Sequence, residues 1–256
     1  SVTSHYNIGG GLNTEKTLPK GADPERSFRE SVSLLNKFKV VSVNSRILFD
    51  LLSSRIENLV YLPNGVDTDM FTPAENCLFN PAAIKIGWVG KIKAAKNYAL
   101  FQELKEHYRG KGVSFLELGV QKKKGFVRKV VDSLTGSFSS AQPFSTMPDY
   151  YRKLDFYLCT SWHEGTPNPA LEAASCGIPP ITTRVGNMLE LVNDKKNGFL
   201  VDPSFMEITR VIDFIKDMTR EEYQLMGNRI RMDICDSWTW EEKAKNYSSA
   251  FENLLF

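Results

Sequence analysis

Residues 156–182 read FYLCTSWHEGTPNPALEAASCGIPPIT. Phe156-Tyr157-Leu158-Cys159 is a continuous apolar run and fits a buried strand ending at about Thr160. A loop carrying Glu164 and Gly165 follows. A helix is expected from about Asn168, with Pro169 suited to its first turn. A second apolar run, Ile178 to Thr182, reads as the next buried strand. Working outward, Val40-Val41-Ser42-Val43, Ile84 to Val89 and Ser114 to Leu118 are further strands of the same kind. Helical spacing lies between them: Ala95, Tyr98, Phe101, Leu104 and Tyr108 recur every three or four residues, as do Val127, Val130, Val131 and Leu134. This alternation predicts an α/β chain with a doubly wound parallel sheet and helices on both faces.

The first 75 residues differ. A short strand, Ser1 to His5, precedes a polar stretch from Gly9-Gly10-Gly11 to Pro24. A helix (Ser27 to Phe38) and a strand (Lys39 to Val43) follow. Such a partial α/β unit has too little core to stand alone. The link from Leu62 to Pro81 carries Pro63, Pro73 and Pro81 and separates it from the regular alternation. The expected division is 1–75 for this unit and its linker, 76–237 for a Rossmann-like domain, and 238–256 for a final helix. In that helix Trp240, Ala244, Tyr247, Phe251 and Leu254 fall on one stripe. A chain of 256 residues suits one whole domain plus part of another.

Composition narrows the function. Lys plus Arg is 32 and Asp plus Glu is 30, a net charge of +2, so no nucleic-acid partner is expected. No apolar run approaches the ~20 residues of a membrane span, and no leader is visible at SVTSHYN. The absence of an initial Met fits a processed product or an excised piece. Cys77, Cys159, Cys176 and Cys235 form no C-x-x-C pair and no zinc-ligand spacing, so reduced, mostly buried thiols in a cytoplasmic protein are expected.

The site signal is the turn between strand and helix. In open α/β sheets, ligands bind outside the carboxyl ends of the strands. Backbone N–H groups from Gly165 to Ala170 are expected to face that crevice, where the helix dipole favours an oxyanion. Glu164 and Glu172 flank the turn with seven residues between them. A carboxylate is a pure acceptor and suits paired sugar hydroxyls.

The segment from Ser161 to Val201 resembles the donor-binding half of GT-B glycosyltransferases of the large retaining family 4. Their pattern is E-x7-E, then A-x-x-x-G-x-P, V-G-x-x-x-E and N-G-x-L-V. Here these are Glu164 and Glu172, Ala173 to Pro179, Val185-Gly186 with Glu190, and Asn197 to Val201. Upstream, Leu62 to Phe71 is similar to the family's P-N-G-V-D-x-x-x-F linker. Gly87-Trp88-Val89-Gly90-Lys91 resembles its strand ending in G-R, with Lys91 in place of Arg, and Lys96-Asn97 matches the K-N that follows. Thr3-Ser4-His5 looks like the strand end carrying the family's acceptor-side His.

The resemblance implies a retaining glycosyltransferase that moves a sugar from a nucleotide-diphosphate donor, UDP- or GDP-linked, to a hydroxyl of a glycan or lipid-linked acceptor. It implies no metal and no other cofactor. Donor binding falls to Gly90, Lys91, Lys96, Glu164, Gly165, Thr166, Pro167, Asn168 and Glu172, with Glu172 on the ribose and Glu164 on the sugar. His5 and Glu164 are the catalytic candidates. Breaking a sugar–diphosphate bond builds negative charge on the diphosphate and positive charge on the ring, which lysines, amides and a carboxylate match. The family's remaining acceptor-side strands are missing, so a partner chain or a second copy is an expected source of them.

Other features are read more plainly. Asp67-Thr68-Asp69 is a D-x-D that falls in the linker pattern rather than in a metal site. Gly9-Gly10-Gly11 is a flexible loop, His107 a surface residue, and His163 a neighbour of the pocket. Lys122-Lys123-Lys124 reads as a solvated helix start, though basic surface is also how such enzymes touch anionic membranes. Two alternatives compete: a non-catalytic nucleotide-sugar-binding or scaffold module, and a nucleotide-sugar epimerase, which lacks the E-x7-E and N-G-V-D-x-x-x-F elements.

Overall fold

The computed structural model describes residues 5–8, 23–75, 79–119 and 143–255. Two parallel sheets organise them. The first has three strands in the order β1 (His5–Ile8), β2 (Val40–Val43), β3 (Leu59–Tyr61). Helix α1 (Pro24–Leu35) connects β1 to β2, and α2 (Arg46–Leu52) connects β2 to β3. Asp23 caps α1, accepting from Glu25 N at 3.0 Å, and Pro24 fills the first turn, where its missing N–H costs nothing. Val41, Val43, Leu48, Leu52 and Ile56 form the small core of this unit.

The second sheet has five strands, β4 (Ile84–Val89), β5 (Val113–Leu118), β6 (Phe156–Cys159), β7 (Pro180–Thr183) and β8 (Phe199–Val201), in the order β5-β4-β6-β7-β8. All its pairings are parallel. The buried strands are apolar because helices cover both faces. One face packs α3 (Tyr98–His107) and α7 (Phe205–Lys216) through Phe101, Leu104, Ile208 and Ile212. The other packs α4 (Met147–Tyr151), α5 (Asn168–Ser175) and α8 (Arg220–Ser237) through Tyr151, Ala170, Ala173 and Ile230. The doubly wound α/β expectation holds. A four-residue helix, α6 (Met188–Leu191), follows β7.

The final helix, α9 (Trp240–Leu255), returns to the first sheet's linker. Val66 N donates to the Trp238 carbonyl at 2.9 Å, and Tyr247 Oη donates to the Leu62 carbonyl at 3.2 Å. Gly65 is required there, because a Cβ would stand 2.6 Å from Trp240 N. Among the described residues no helix is long and apolar enough to cross a membrane. Cys159 and Cys176 are buried free thiols, and Cys235 is exposed.

Several boundaries differ from the sequence reading. Ala95 shares the apolar stripe with Tyr98 but lies in a separate 3-10 turn (Ala94–Lys96), because Asn97 is left-handed at φ 46° and breaks the helix. Trp238 does not open the last helix; it closes α8, buried at 5% exposure. Strand β1 continues past His5 to Ile8 rather than ending there. Gly9-Gly10-Gly11, Lys122 to Lys124, Cys77 and the stripe from Val127 to Leu134 lie outside the described residues.

Asp155 closes the amino end of β6. It accepts from Lys85 N at 2.7 Å while its own N–H donates to the Lys85 carbonyl at 2.8 Å. Burial pushes its carboxyl up to about 6. The folded chain therefore holds this proton more tightly than the unfolded chain, whose Asp titrates near ~4. The associated stability is present at low pH and is lost as pH rises through about 6. Urea unfolding of Asp155→Asn against the parent should show the variant gaining relative stability as pH rises across that interval. A flat difference contradicts the assignment.

Candidate active site

The site starts where two strands part. β4 and β6 pair only at Ile86–Phe156 and Gly87–Tyr157. Beyond that point Trp88 N donates to Tyr150 Oη at 3.2 Å, and Tyr150 Oη donates to the Leu116 carbonyl at 2.9 Å. The chain order reverses here, since β4 leads to β5 on one side while β6 leads to β7 on the other. Such a reversal leaves a crevice at the carboxyl ends.

Three hydrogen bonds tie the two loops above the split. Trp162 N donates to the Ala95 carbonyl at 2.7 Å. Thr160 Oγ1 donates to the Lys96 carbonyl at 2.8 Å and accepts from Trp88 Nε1 at 3.2 Å. The left-handed Asn97 then turns the chain into α3. As a result Lys96 Nζ lies 2.6 Å from Glu164 Oε1, and Ser161 Oγ donates to the same oxygen at 2.7 Å. The Lys96 and Glu164 side chains are 23% and 13% exposed, open enough for a ligand and sheltered enough to limit screening. Lys91 is exposed and makes no ion pair among the described residues. Gly90 N stays on the sheet, donating to Leu118 O at 3.1 Å.

Glu172 sits in the second turn of α5 and is half-buried. Tyr151 Oη donates to its Oε2 at 2.6 Å. Burial raises the Glu172 carboxyl and the Tyr151 bond lowers it, with the net shift upward.

The turn from Gly165 to Ala170 offers fewer amides than expected. Pro167 and Pro169 have no N–H, Asn168 N donates to Thr166 O at 2.9 Å, and Ala170 N donates to Pro167 O at 2.8 Å. The N–H groups of Gly165 and Thr166 have no partner among the described residues. Two side chains of the turn are also committed elsewhere. Thr166 Oγ1 donates to the Asn44 carbonyl at 3.1 Å and accepts from Asn187 Nδ2 at 3.0 Å, and Asn168 Oδ1 accepts from Asn64 Nδ2 at 2.9 Å. Gly186 holds the back of the turn at φ 50°, where a Cβ would fall 1.9 Å from the Gly165 carbonyl. That close approach explains the glycine of V-G-x-x-x-E.

The Glu of that motif is not in the crevice. Glu190 accepts from Arg46 N at 2.9 Å and from Tyr61 Oη, so it joins the two sheets. His5 also departs from expectation. Its partner in the register is Val40, the first residue of β2, whereas the crevice borders the opposite, carboxyl end, at Asn44 and Ser45. The backbone therefore places His5 at the far end of its strand from Glu164. Asp67, the first carboxylate of D-x-D, accepts from Asp69 N and Met70 N at 3.1 and 2.8 Å and serves the turn. Beside Glu164 a cavity of about 1050 Å³ opens between α1, α2 and the loops holding Trp162, His163 and Arg184. Tyr151 and Ser161, which orient the two glutamates, were not singled out from the sequence; Ser161 is visible only as a hydroxyl three residues before Glu164.

Known proteins resemble this chain. The family described as Glycosyl transferases group 1 matches residues 83–217, more than half of the chain. The chain belongs to that family. A D-inositol 3-phosphate glycosyltransferase of Segniliparus rotundus is 29% identical over 55% of this chain and 35% of its own length. The sucrose-phosphate synthase of Thermosynechococcus elongatus superposes with a TM-score of 0.74 at 18% identity, covering 92% of this chain and 63% of that one. Anabaena Alr3699/HepE, solved with UDP and glucose, gives 0.72 at 16% identity over 97% and 71%. These structures establish the GT-B glycosyltransferase fold. The matched stretch covers only about a third of the Segniliparus relative's length.

The Lys96–Glu164 pair is sheltered and shares a hydroxyl, so its members should be energetically coupled. A double-mutant cycle with Lys96→Met and Glu164→Gln, read by urea unfolding, should give a coupling of about 1–2 kcal/mol. A coupling below ~0.3 kcal/mol would show the contact to be incidental.

Proposed function

We propose that the crevice above β4 and β6 binds a nucleotide-diphosphate sugar, and that the chain serves retaining transfer of that sugar to an acceptor hydroxyl on a glycan or lipid-linked glycan, without a metal. One observation carries the reading: above the point where β4 and β6 part, Lys96 Nζ lies 2.6 Å from Glu164 Oε1, the next two residues, Gly165 and Thr166, have N–H groups without a partner among the described residues, and Glu172 stands on the following helix.

Each group has a task in that reading. The bond from the anomeric carbon to the diphosphate oxygen breaks, the bond to the acceptor oxygen forms, and the acceptor proton passes to the leaving diphosphate. Lys96 and the two amides offset the negative charge that grows on the diphosphate. Glu164 faces the donor sugar, where a carboxylate offsets the positive character of the ring. The donor phosphate competes with Glu164 for Lys96, so the ion pair loosens as the donor enters. Glu172 accepts from the ribose hydroxyls. Asp67 being occupied by its own turn supports transfer without a divalent ion. The acceptor is assigned to the cavity facing α1 and α2, and donor binding to the five-stranded domain, so the two are separable in experiment.

Calorimetric titration with UDP, GDP and ADP and their glucose or mannose conjugates tests this. One family should bind, and at 100 times its Kd should raise stability by about 2.7 kcal/mol. Glu172→Ala should weaken that binding about tenfold or more, from the loss of a hydrogen bond to a charged group. EDTA should change nothing. Unaltered affinity in Glu172→Ala removes it from the site, and loss of binding in EDTA overturns the metal-free reading.

A further inference from the structure

Tyr151 is fully buried in an apolar cluster, with the Phe71 and Tyr157 rings 6.0 and 6.2 Å from its own. A phenylalanine would fill such a position without desolvating a hydroxyl, a cost that is met only by a hydrogen bond. The one hydrogen-bond partner of that hydroxyl among the described residues is Glu172 Oε2. No other hydrogen bond and no ion pair holds the Glu172 carboxylate among them; the guanidinium groups near Cys176 are spent elsewhere. Arg152 binds Thr72 and Asp149, and Arg231 binds the carbonyls of Thr68, Phe71 and Ser175. Cys176, the titratable neighbour that caps the carboxyl end of α5, is a buried thiol pushed up to about 12 and stays neutral.

We propose that Tyr151 is a positioning residue for the nucleotide's ribose: it anchors one oxygen of Glu172 so that the other is presented, in one orientation, to a vicinal diol. This rests on the reading of Glu172 given above. A carboxylate free to rotate accepts from a diol only after losing that freedom on binding. Anchoring Oε2 removes the cost beforehand. The same bond opposes the upward push of burial and so favours the ionised carboxylate, the form that accepts from both hydroxyls. The consequence is selectivity. An oriented acceptor rewards ribose over 2′-deoxyribose, because the deoxy sugar leaves it half-used.

The test uses the chain as it stands, with whichever of UDP, GDP and ADP binds most tightly and its 2′-deoxy counterpart. In the parent, the ribonucleotide should bind better, and its binding should fade as pH drops and Glu172 takes up a proton. Tyr151→Phe loses only an oxygen and should still fold, as checked by circular dichroism. It should bind the ribonucleotide about tenfold less tightly at pH 7, show a ribo-to-deoxy ratio nearer one, and lose binding at a higher pH than the parent. A purely structural tyrosine would lower the unfolding temperature without moving the ratio or the pH limb, and that result overturns the proposal. Glu172→Gln separates the layers. If it binds as tightly as the parent, or if none of the three nucleotides binds the parent, the ribose reading fails and the proposal with it. If Glu172→Gln is weakened while Tyr151→Phe is unaltered, the proposal alone fails.

Discussion

Strands β4 and β6 stay hydrogen-bonded for two residue pairs and then separate, and Tyr150 fills the gap that opens at Trp88. This divergence sets the rest. Parallel strands that kept their ladder to the end would leave no crevice. Because the sheet turns in opposite directions from this point, the loops after β4 and β6 rise side by side with room between them. Trp88, Thr160 and Trp162 then stitch those loops together, so that a lysine from one and a glutamate from the other meet at 2.6 Å. The charges are therefore held by backbone-anchored loops rather than by long side chains searching for each other.

The crevice also needs its second wall. Thr166 reaches the Asn44 carbonyl and Glu190 reaches Arg46 N, both bonds crossing from the five-stranded domain to the three-stranded unit. The loop that presents Glu164 and the turn that presents Gly186 thus share their anchors with the three-stranded unit. At this seam the buried side-chain oxygens of Asn44 and Asn187 lack partners among the described residues. Desolvated acceptors of this kind cost about 1–3 kcal/mol each. The seam therefore combines specific bonds with a local penalty, as expected where two units meet over a ligand site rather than in a core.

Much of this was legible beforehand. Phe156 to Cys159, Asn168 as the helix start, and the order of strands and helices followed from apolar runs and one proline. The E-x7-E spacing pointed to the crevice. What escaped had physical causes. Pro169 was read as suited to the helix's first turn, while the N–H groups that Pro167 and Pro169 lack, and those the tight turn consumes, leave only the amides of Gly165 and Thr166 without a partner among the described residues. Ala95 kept the helical period but the left-handed Asn97 broke the helix, a backbone event that periodicity does not register. His5 was placed at a strand's carboxyl end by analogy of three residues, whereas the described strand runs on past it to Ile8. Tyr151 carries no signal at all, since a buried tyrosine and a buried phenylalanine look alike in an apolar pattern. Glu190 was correctly seen as part of a motif, but its partners are 129 and 144 residues away.

The most direct check of the account is a crystal structure of this chain with its preferred nucleoside diphosphate. The phosphates should lie against Lys96 Nζ and the N–H groups of Gly165 and Thr166, with the ribose hydroxyls on Glu172. A nucleotide seated elsewhere, with the Lys96–Glu164 pair undisturbed and Glu172 still bonded to Tyr151 alone, would contradict it.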